Sequence, residues 1–116
     1  MPHEIEIRNA LIAQLVEALA YEHYSRVYEL AANSRINESA LRTAVKDYGR
    51  RLLPLPKEEW HRIDYVEVSN SHPRAWSVVV PLFTVEEGLS DLSLLLTVVN
   101  CGPNKFELEI DDIHVL

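Results

Sequence analysis

The sequence predicts an α+β domain, with about three N-terminal helices packed on one face of a curved antiparallel sheet of three to four strands joined as a meander. Three observations carry this. Apolar residues recur with a helical period as far as residue 49, and with a period of two from about residue 63. Between the two stretches, Pro54 and Pro56 each lack an amide hydrogen and restrain the preceding residue to extended backbone, which marks a boundary. Beyond it, turn-forming clusters divide the chain into hairpin-sized pieces, and runs of strands after runs of helices define the class.

The first helix is expected over about residues 4–20. Ile5, Ile12, Val16 and Leu19, with Leu11 and Leu15, fall at spacings of three, four and seven and form one apolar stripe. A second helix is expected over about 22–32, with Tyr24, Val27, Tyr28 and Ala31 on one side, and Asn33 and Ser34 as stop residues. The third has the best start signal. Ile36 serves as staple, Asn37 as N-cap and Glu38 as an acid in the first turn, while Gly49 suits a left-handed C-terminal position.

In the sheet half, Ile63 to Val68 reads as a strand, followed by Trp76 to Thr84 with Trp76, Val78, Val80 and Leu82 on one face. Pro81 cannot donate to a ladder, so the strand is at an edge there or bulged. Glu86 to Asp91, with Gly88, is a hairpin connection, and Asp91 to Val99 is the next strand. After the Asn100 to Asn104 turn, Phe106, Leu108 and Ile110 alternate inward with Glu107, Glu109 and Asp111 outward. The next apolar residues, Ile113 and Val115, are out of phase with that alternation. A bulge at Asp111 and Asp112 restores them to the core.

The chain has 116 residues, 47% of them apolar and 25% charged, which suits one domain spanning 1–116 with its helical part at about 4–49 and its sheet part at about 63–116. No apolar run approaches the roughly 20 residues that a membrane helix needs. The first helix has no small-residue cleavage site of the signal-peptide kind. A single cysteine, Cys101, excludes an internal disulfide, so a cytoplasmic location is expected. Residues 1–58 hold eight acids and eight bases, whereas 59–116 hold ten acids and three bases, so the whole net charge of −7 falls in the second half. That sign repels phosphate backbones and anionic lipid. Nucleic acid and membrane are excluded as expected partners; a basic partner protein, a small ligand or a second copy of the chain is compatible.

Two groups of residues could carry chemistry. The first is acidic: Glu86 and Glu87 in one turn with Ser90 and Asp91 at its exit, and Asp111, Asp112 and His114 near the C-terminus. Carboxylates and an imidazole could hold a divalent ion, or shift a pKa for acid-base work. Yet the spacing matches no calcium loop, and no zinc motif is present. The preferred reading of these residues is a solvated hairpin tip and a bulge whose carboxylates accept backbone amides, so neither a catalytic residue nor a metal ligand nor a cofactor site is assigned. The second group is aromatic. Tyr24, Tyr28, Trp76 and Phe83, with Tyr21 and Tyr48, could line a pocket between helix and sheet or simply fill the core. His3, His23, His61 and His72 are scattered, and Cys101 lacks a nearby cation other than Lys105. Arg42, Lys46, Arg50 and Arg51 lie at helix spacing and just beyond the helix end, where cations serve a C-terminus or could meet the acidic half of a neighbouring copy.

Residues 80–94, Val-Pro-Leu-Phe-Thr-Val-Glu-Glu-Gly-Leu-Ser-Asp-Leu-Ser-Leu, and 109–116, Glu-Ile-Asp-Asp-Ile-His-Val-Leu, resemble a family of short uncharacterised bacterial proteins. Its members carry an aromatic-Thr-x-Glu-Glu-Gly-x-Ser-Asp-Leu-Thr-Leu stretch and end in Asp-Asp-Ile/Leu-His-Val-Leu. Phe83 stands in place of tryptophan and Ser93 in place of threonine. The resemblance covers about the last 40 residues well and the helical half in outline. It implies a small cone-shaped domain similar to nuclear transport factor 2 and cystatin-like folds, and it implies no activity. Motif positions carry over to Glu86, Glu87, Gly88, Ser90, Asp91, Asp111, Asp112 and His114 without roles. The function expected is therefore a non-enzymatic interaction or ligand-binding module, one concrete form of which is an accessory or immunity-type protein acting through an acidic sheet surface. The competing expectations are a small enzyme with Asp and His acid-base groups and a divalent-metal module.

Overall fold

A computed structural model of the protein describes residues 4–116, so His3 lies outside the described residues. Helix α1 (Glu4–Ala20) ends in a tight corner. Glu22 takes the left-handed conformation at φ 60°, its amide donates to the Leu19 carbonyl, and the His23 amide donates to the Ala18 carbonyl. This is the Schellman arrangement, with glutamate where glycine is usual. The corner separates α1 from α2 (Tyr24–Leu30), which is shorter at both ends than its apolar pattern predicts. Helix α3 (Glu38–Tyr48) starts and stops as expected: the Asn37 side chain accepts the Ala40 amide, and Gly49 closes the helix at φ 75°.

The boundary segment holds two elements that proline content alone does not reveal. Strand β1 (Leu52–Leu53) is two residues long, and Lys57–Arg62 forms a 3₁₀ turn. Then come β2 (Asp64–Glu67), β3 (Ala75–Thr84), β4 (Gly88–Gly102) and β5 (Lys105–Val115), all antiparallel. The sheet order is β1-β3-β4-β5, with β2 also pairing to β3, so the strongly curled half-barrel has five strands. Strand β2 covers Trp76 to Val79 of β3, and β1 covers Phe83 and Thr84. Pro81 falls in the gap between them, where no neighbour needs its missing amide hydrogen.

The irregularity expected at Pro81 is present, but the surplus residues are on the partner strand. Pro81 pairs with Ser93 and Phe83 with Leu89, so Leu82 alone faces Ser90, Asp91 and Leu92. The second bulge falls where the phase change places it. Leu95 pairs with Asp112 and Leu96 with Ile110, leaving Asp111 unpaired and returning Ile113 to the interior.

All the helices serve one face. Ile12, Leu15, Val16 and Leu19 of α1, Val27 of α2 and Leu41 of α3 share a core with Val78, Val80, Leu94, Leu96, Val98, Leu108 and Ile110. One position overturns the simple stripe: Ile5 is exposed, and Arg8 is buried in line with Ile12. The α2–α3 connection also covers part of the free edge of β5, since the Arg35 amide donates to the Ile110 carbonyl and the Ile110 amide donates to Ser34 Oγ. Among the described residues, no helix is long and apolar enough to cross a membrane.

Candidate functional site

The motif residues of the β3–β4 hairpin form a clasp. The Glu87 amide donates to Thr84 Oγ1 at 3.0 Å, which fixes the turn, and Gly88 supplies the positive φ of 71° that leaves it. The Glu87 carboxylate accepts the Tyr48 hydroxyl at 2.9 Å and lies 3.7 Å from Arg50. Glu86 accepts the Arg51 amide at 2.9 Å, while the Val85 amide donates to the Arg51 carbonyl. The hairpin tip is thereby tied to the end of α3 and the start of β1. The Arg51 amide, followed by the residue's own amide, holds the Glu86 carboxyl below the usual carboxylate range. Burial of its ring, and then the bond to Glu87, push the Tyr48 hydroxyl up.

Ser90 is buried, and its chemistry is structural. Its hydroxyl donates to the Leu82 carbonyl at 2.7 Å and accepts the Leu92 amide at 3.1 Å, bridging the ladder where three β4 residues oppose Leu82. Asp91 points to the other face, because side chains alternate and Ser90 and Leu92 are both buried.

The C-terminal motif lies on another strand and holds a separate arrangement. Asp111, the bulged residue, accepts the Thr97 hydroxyl at 2.7 Å; its other oxygen lies 3.5 Å from Arg35 Nε without a hydrogen bond. Asp112 accepts the Ile113 amide at 2.8 Å and is 2.8 Å from His114 Nδ1, and these contacts hold its carboxyl low. No hydrogen bond or ion pair among the described residues joins these groups to Glu86 or Glu87. The metal alternative fails on the same geometry. No group of three His, Cys, Asp or Glu among the described residues is placed to hold a metal ion.

The aromatic residues do not share a pocket either. Tyr24 is buried beneath Arg42, whose guanidinium carbon is 4.2 Å from the ring centre. The Tyr28 hydroxyl donates to the Ile36 carbonyl at 2.7 Å. Trp76 is buried against Phe106 and Arg8. Phe83 forms a cross-strand row with Leu53 and Leu89, on the sheet face opposite buried Leu52 and Thr84. Sequence spacing could not separate these roles, since Tyr24 and Tyr28 share α2 and Trp76 and Phe83 share β3, yet each ring meets different neighbours.

What the register does assemble is a surface. Opposite the helices, cross-strand pairing aligns Asp64, Val79, Leu95 and Asp112 in one row, and Val66, Ser77, Thr97 and Glu109 in the next. Val99 and Glu107 pair beside them. Apolar and hydroxyl side chains occupy the middle, Asp112, Glu109 and Glu107 occupy the β5 flank, and Asp64 and exposed Val66 occupy the β2 flank. On the helical side, a cleft of about 570 Å³ opens between the ends of α1 and α3, with Tyr24 among its walls. A shallower apolar groove of about 440 Å³ runs along Ile7, Leu11 and Phe106. Neither is lined by Asp111, Asp112 or His114.

The molecule is thus a helix-backed half-barrel with one sheet face left uncovered. The chain belongs to the family described as a domain of unknown function, DUF7668, whose model matches residues 16–116. No curated protein and no solved structure matches it.

Proposed function

We propose that this domain is a non-enzymatic interaction module that engages a basic partner protein through the outward face of its sheet. The observation that carries the reading is the row Asp64–Val79–Leu95–Asp112, apolar at its centre and anionic at both ends. Its neighbours, Val66 at 60% exposure and Glu107 and Glu109 on β5, extend the same pattern. An apolar centre supplies affinity, and the charged rim steers encounter and selects the sign of the partner. Asp64, Asp91, Glu107 and Glu109 have no arginine or lysine within ion-pair distance among the described residues, whereas Glu59, Glu67, Glu87 and Asp111 are paired. These four add unpaired negative charge to the field that a partner meets at this face.

A second copy fits the face less well than a basic partner, because two-fold packing of sheet on sheet brings one acidic flank against another. The enzyme alternative loses its geometry: the Asp112–His114 pair stands exposed on the sheet face, and Asp111 is held by Thr97 and Arg35. The long, curled strands β3 to β5 around α1 support kinship with nuclear transport factor 2 and cystatin-like folds.

The test is cross-linking in the native host, followed by affinity measurement with the purified partner. A basic partner is expected, with cross-links on β2, β4 and β5, binding that weakens steeply with salt, and loss of binding in the Glu107→Lys, Glu109→Lys variant. Affinity indifferent to salt and to that charge reversal overturns the proposal.

A further inference from the structure

The cleft between the helix ends has the opposite chemistry to the sheet face. In a chain of net charge −7, four of its eleven lysines and arginines, Arg42, Lys46, Arg50 and Arg51, line this one space. A helix C-terminus carries only about half a negative charge, so one cation such as Lys46 in the last turn of α3 answers its field. The remainder is surplus to capping.

The neighbouring acids offset much of that charge, but they leave two of the cations without an ion-pair partner. Glu22 and Glu86 also line the cleft, and the Glu86 carboxylate, which accepts the Arg51 amide, acts on the Arg50 and Arg51 side chains as well. Arg42 is paired with Glu38 at 2.8 Å, and Arg50 lies 3.7 Å from Glu87. For the side chains of Lys46 and Arg51, no carboxylate lies within 4.0 Å among the described residues. Arg42 is also stacked 4.2 Å from the centre of the Tyr24 ring, which holds its planar fork in place, and a fork already held loses less freedom on forming a bond. The volume of about 570 Å³ lies within the range of small-molecule sites.

We propose that this cleft binds a small dianion, a phosphorylated or dicarboxylic metabolite whose paired negative charge is met by Lys46 and Arg51 and whose oxygens reach Arg42. The site is independent of the sheet face, since none of Asp64, Glu107, Glu109 or Asp112 lines it. A mono-anion satisfies one of these two cations, neither of which has an ion-pair partner among the described residues, whereas a compact dianion satisfies both.

The experiment is thermal denaturation and isothermal titration of the full chain with inorganic pyrophosphate and, separately, citrate, at constant ionic strength. Saturable binding of at least one probe is expected, with a rise in Tm, and the probe that binds assigns the phosphate or the carboxylate class. The Lys46→Ala, Arg51→Ala variant is expected to bind roughly tenfold more weakly or worse, the size of a lost charge-assisted contact. Both side chains lie outside the core, so circular dichroism and the unliganded Tm of that variant should stay near the parent's. The Glu107→Lys, Glu109→Lys variant should bind the probes as the parent does, which separates this site from the partner surface. Absence of saturable binding by both probes, or binding undiminished in the Lys46, Arg51 variant, overturns the proposal.

Discussion

Arg8 is 7% exposed, yet its closest carboxylate is Glu4 at 3.8 Å, and its Nε has no hydrogen-bond partner. What holds it is aromatic. Its guanidinium carbon lies 4.2 Å from the Trp76 ring centre, 4.8 Å from Tyr65 and 5.6 Å from Phe106. A desolvated cation over a ring gains up to about 2 kcal/mol, and the aliphatic stem adds buried area. Burying the charge costs several kcal/mol in return. Filling the space therefore matters more than the charge itself. Arg8→Met should change the unfolding free energy by less than about 1 kcal/mol, while Arg8→Ala should cost roughly 2–4 kcal/mol by emptying the cage. Urea unfolding of both variants checks this; equal losses would show that the charge is what counts. Sequence periodicity missed Arg8 because an apolar-residue pattern passes over a cation. The available signal was its position, four residues before Ile12 on the buried stripe.

The hairpin of β3 and β4 explains the Thr-x-Glu-Glu-Gly-x-Ser-Asp stretch as an assembly of turn, clasp and bridge. Thr84 receives the Glu87 amide, Glu86 and Glu87 reach β1 and α3, and Ser90 spans the bulge. Ser90→Ala leaves the Leu82 carbonyl and the Leu92 amide without the hydroxyl they share in a buried setting. A loss of about 1–3 kcal/mol is expected, read from chemical denaturation. A cost near zero would mean that the bulge holds itself. The two bulges show how differently sequence reports such features. The one at Asp111 was legible, because the inward set shifts from Ile110 to Ile113. The one opposite Leu82 was not, since two surplus residues leave the alternation of β4 in phase. Strand β1 escaped for a related reason: two residues cannot express a period.

Across the whole molecule, ionisation sets two limits on stability. Glu67, Glu86 and Asp112 have carboxyls held below their ordinary values, Glu67 first by its bond with Arg74. Their contribution is present above about pH 4, and protonation removes it as pH falls through the lowered values. All three are exposed or nearly so, which keeps the effect small. The alkaline limit is stronger. Burial pushes the Tyr65 hydroxyl up to about 12, with nearby Arg8 opposing, and its proton is donated to Asn9 Oδ1 at 2.5 Å. Tyr24, Tyr28 and Tyr48 are raised as well, each chiefly by burial. A phenol that is harder to ionise when folded stabilises fully below its unfolded value of about 10, and that share is lost as pH rises through its folded value. Tm should therefore fall between about pH 10 and 12, and Tyr65→Phe should flatten that fall while costing the Asn9 bond at neutral pH. An unchanged alkaline slope in the variant would assign the loss to other groups.

Sequence alone determined the class, the ends of α3, the alternation of the long strands and the anionic bias of the second half, because each is set by residues near one another in the chain. Capping, left-handed glycine and side-chain period all act over a few residues. Tertiary structure decided which of those residues meet. It sent Glu86 and Glu87 to the end of α3 and kept Asp112 and His114 on the open face. Cross-strand register then lined Asp64 up with Asp112 across two intervening strands, and folding set Glu22 and Glu86 in one cleft with the cations of α3. Such pairings join residues tens of positions apart, and the period of two says which face a side chain takes but not which partner lies beside it.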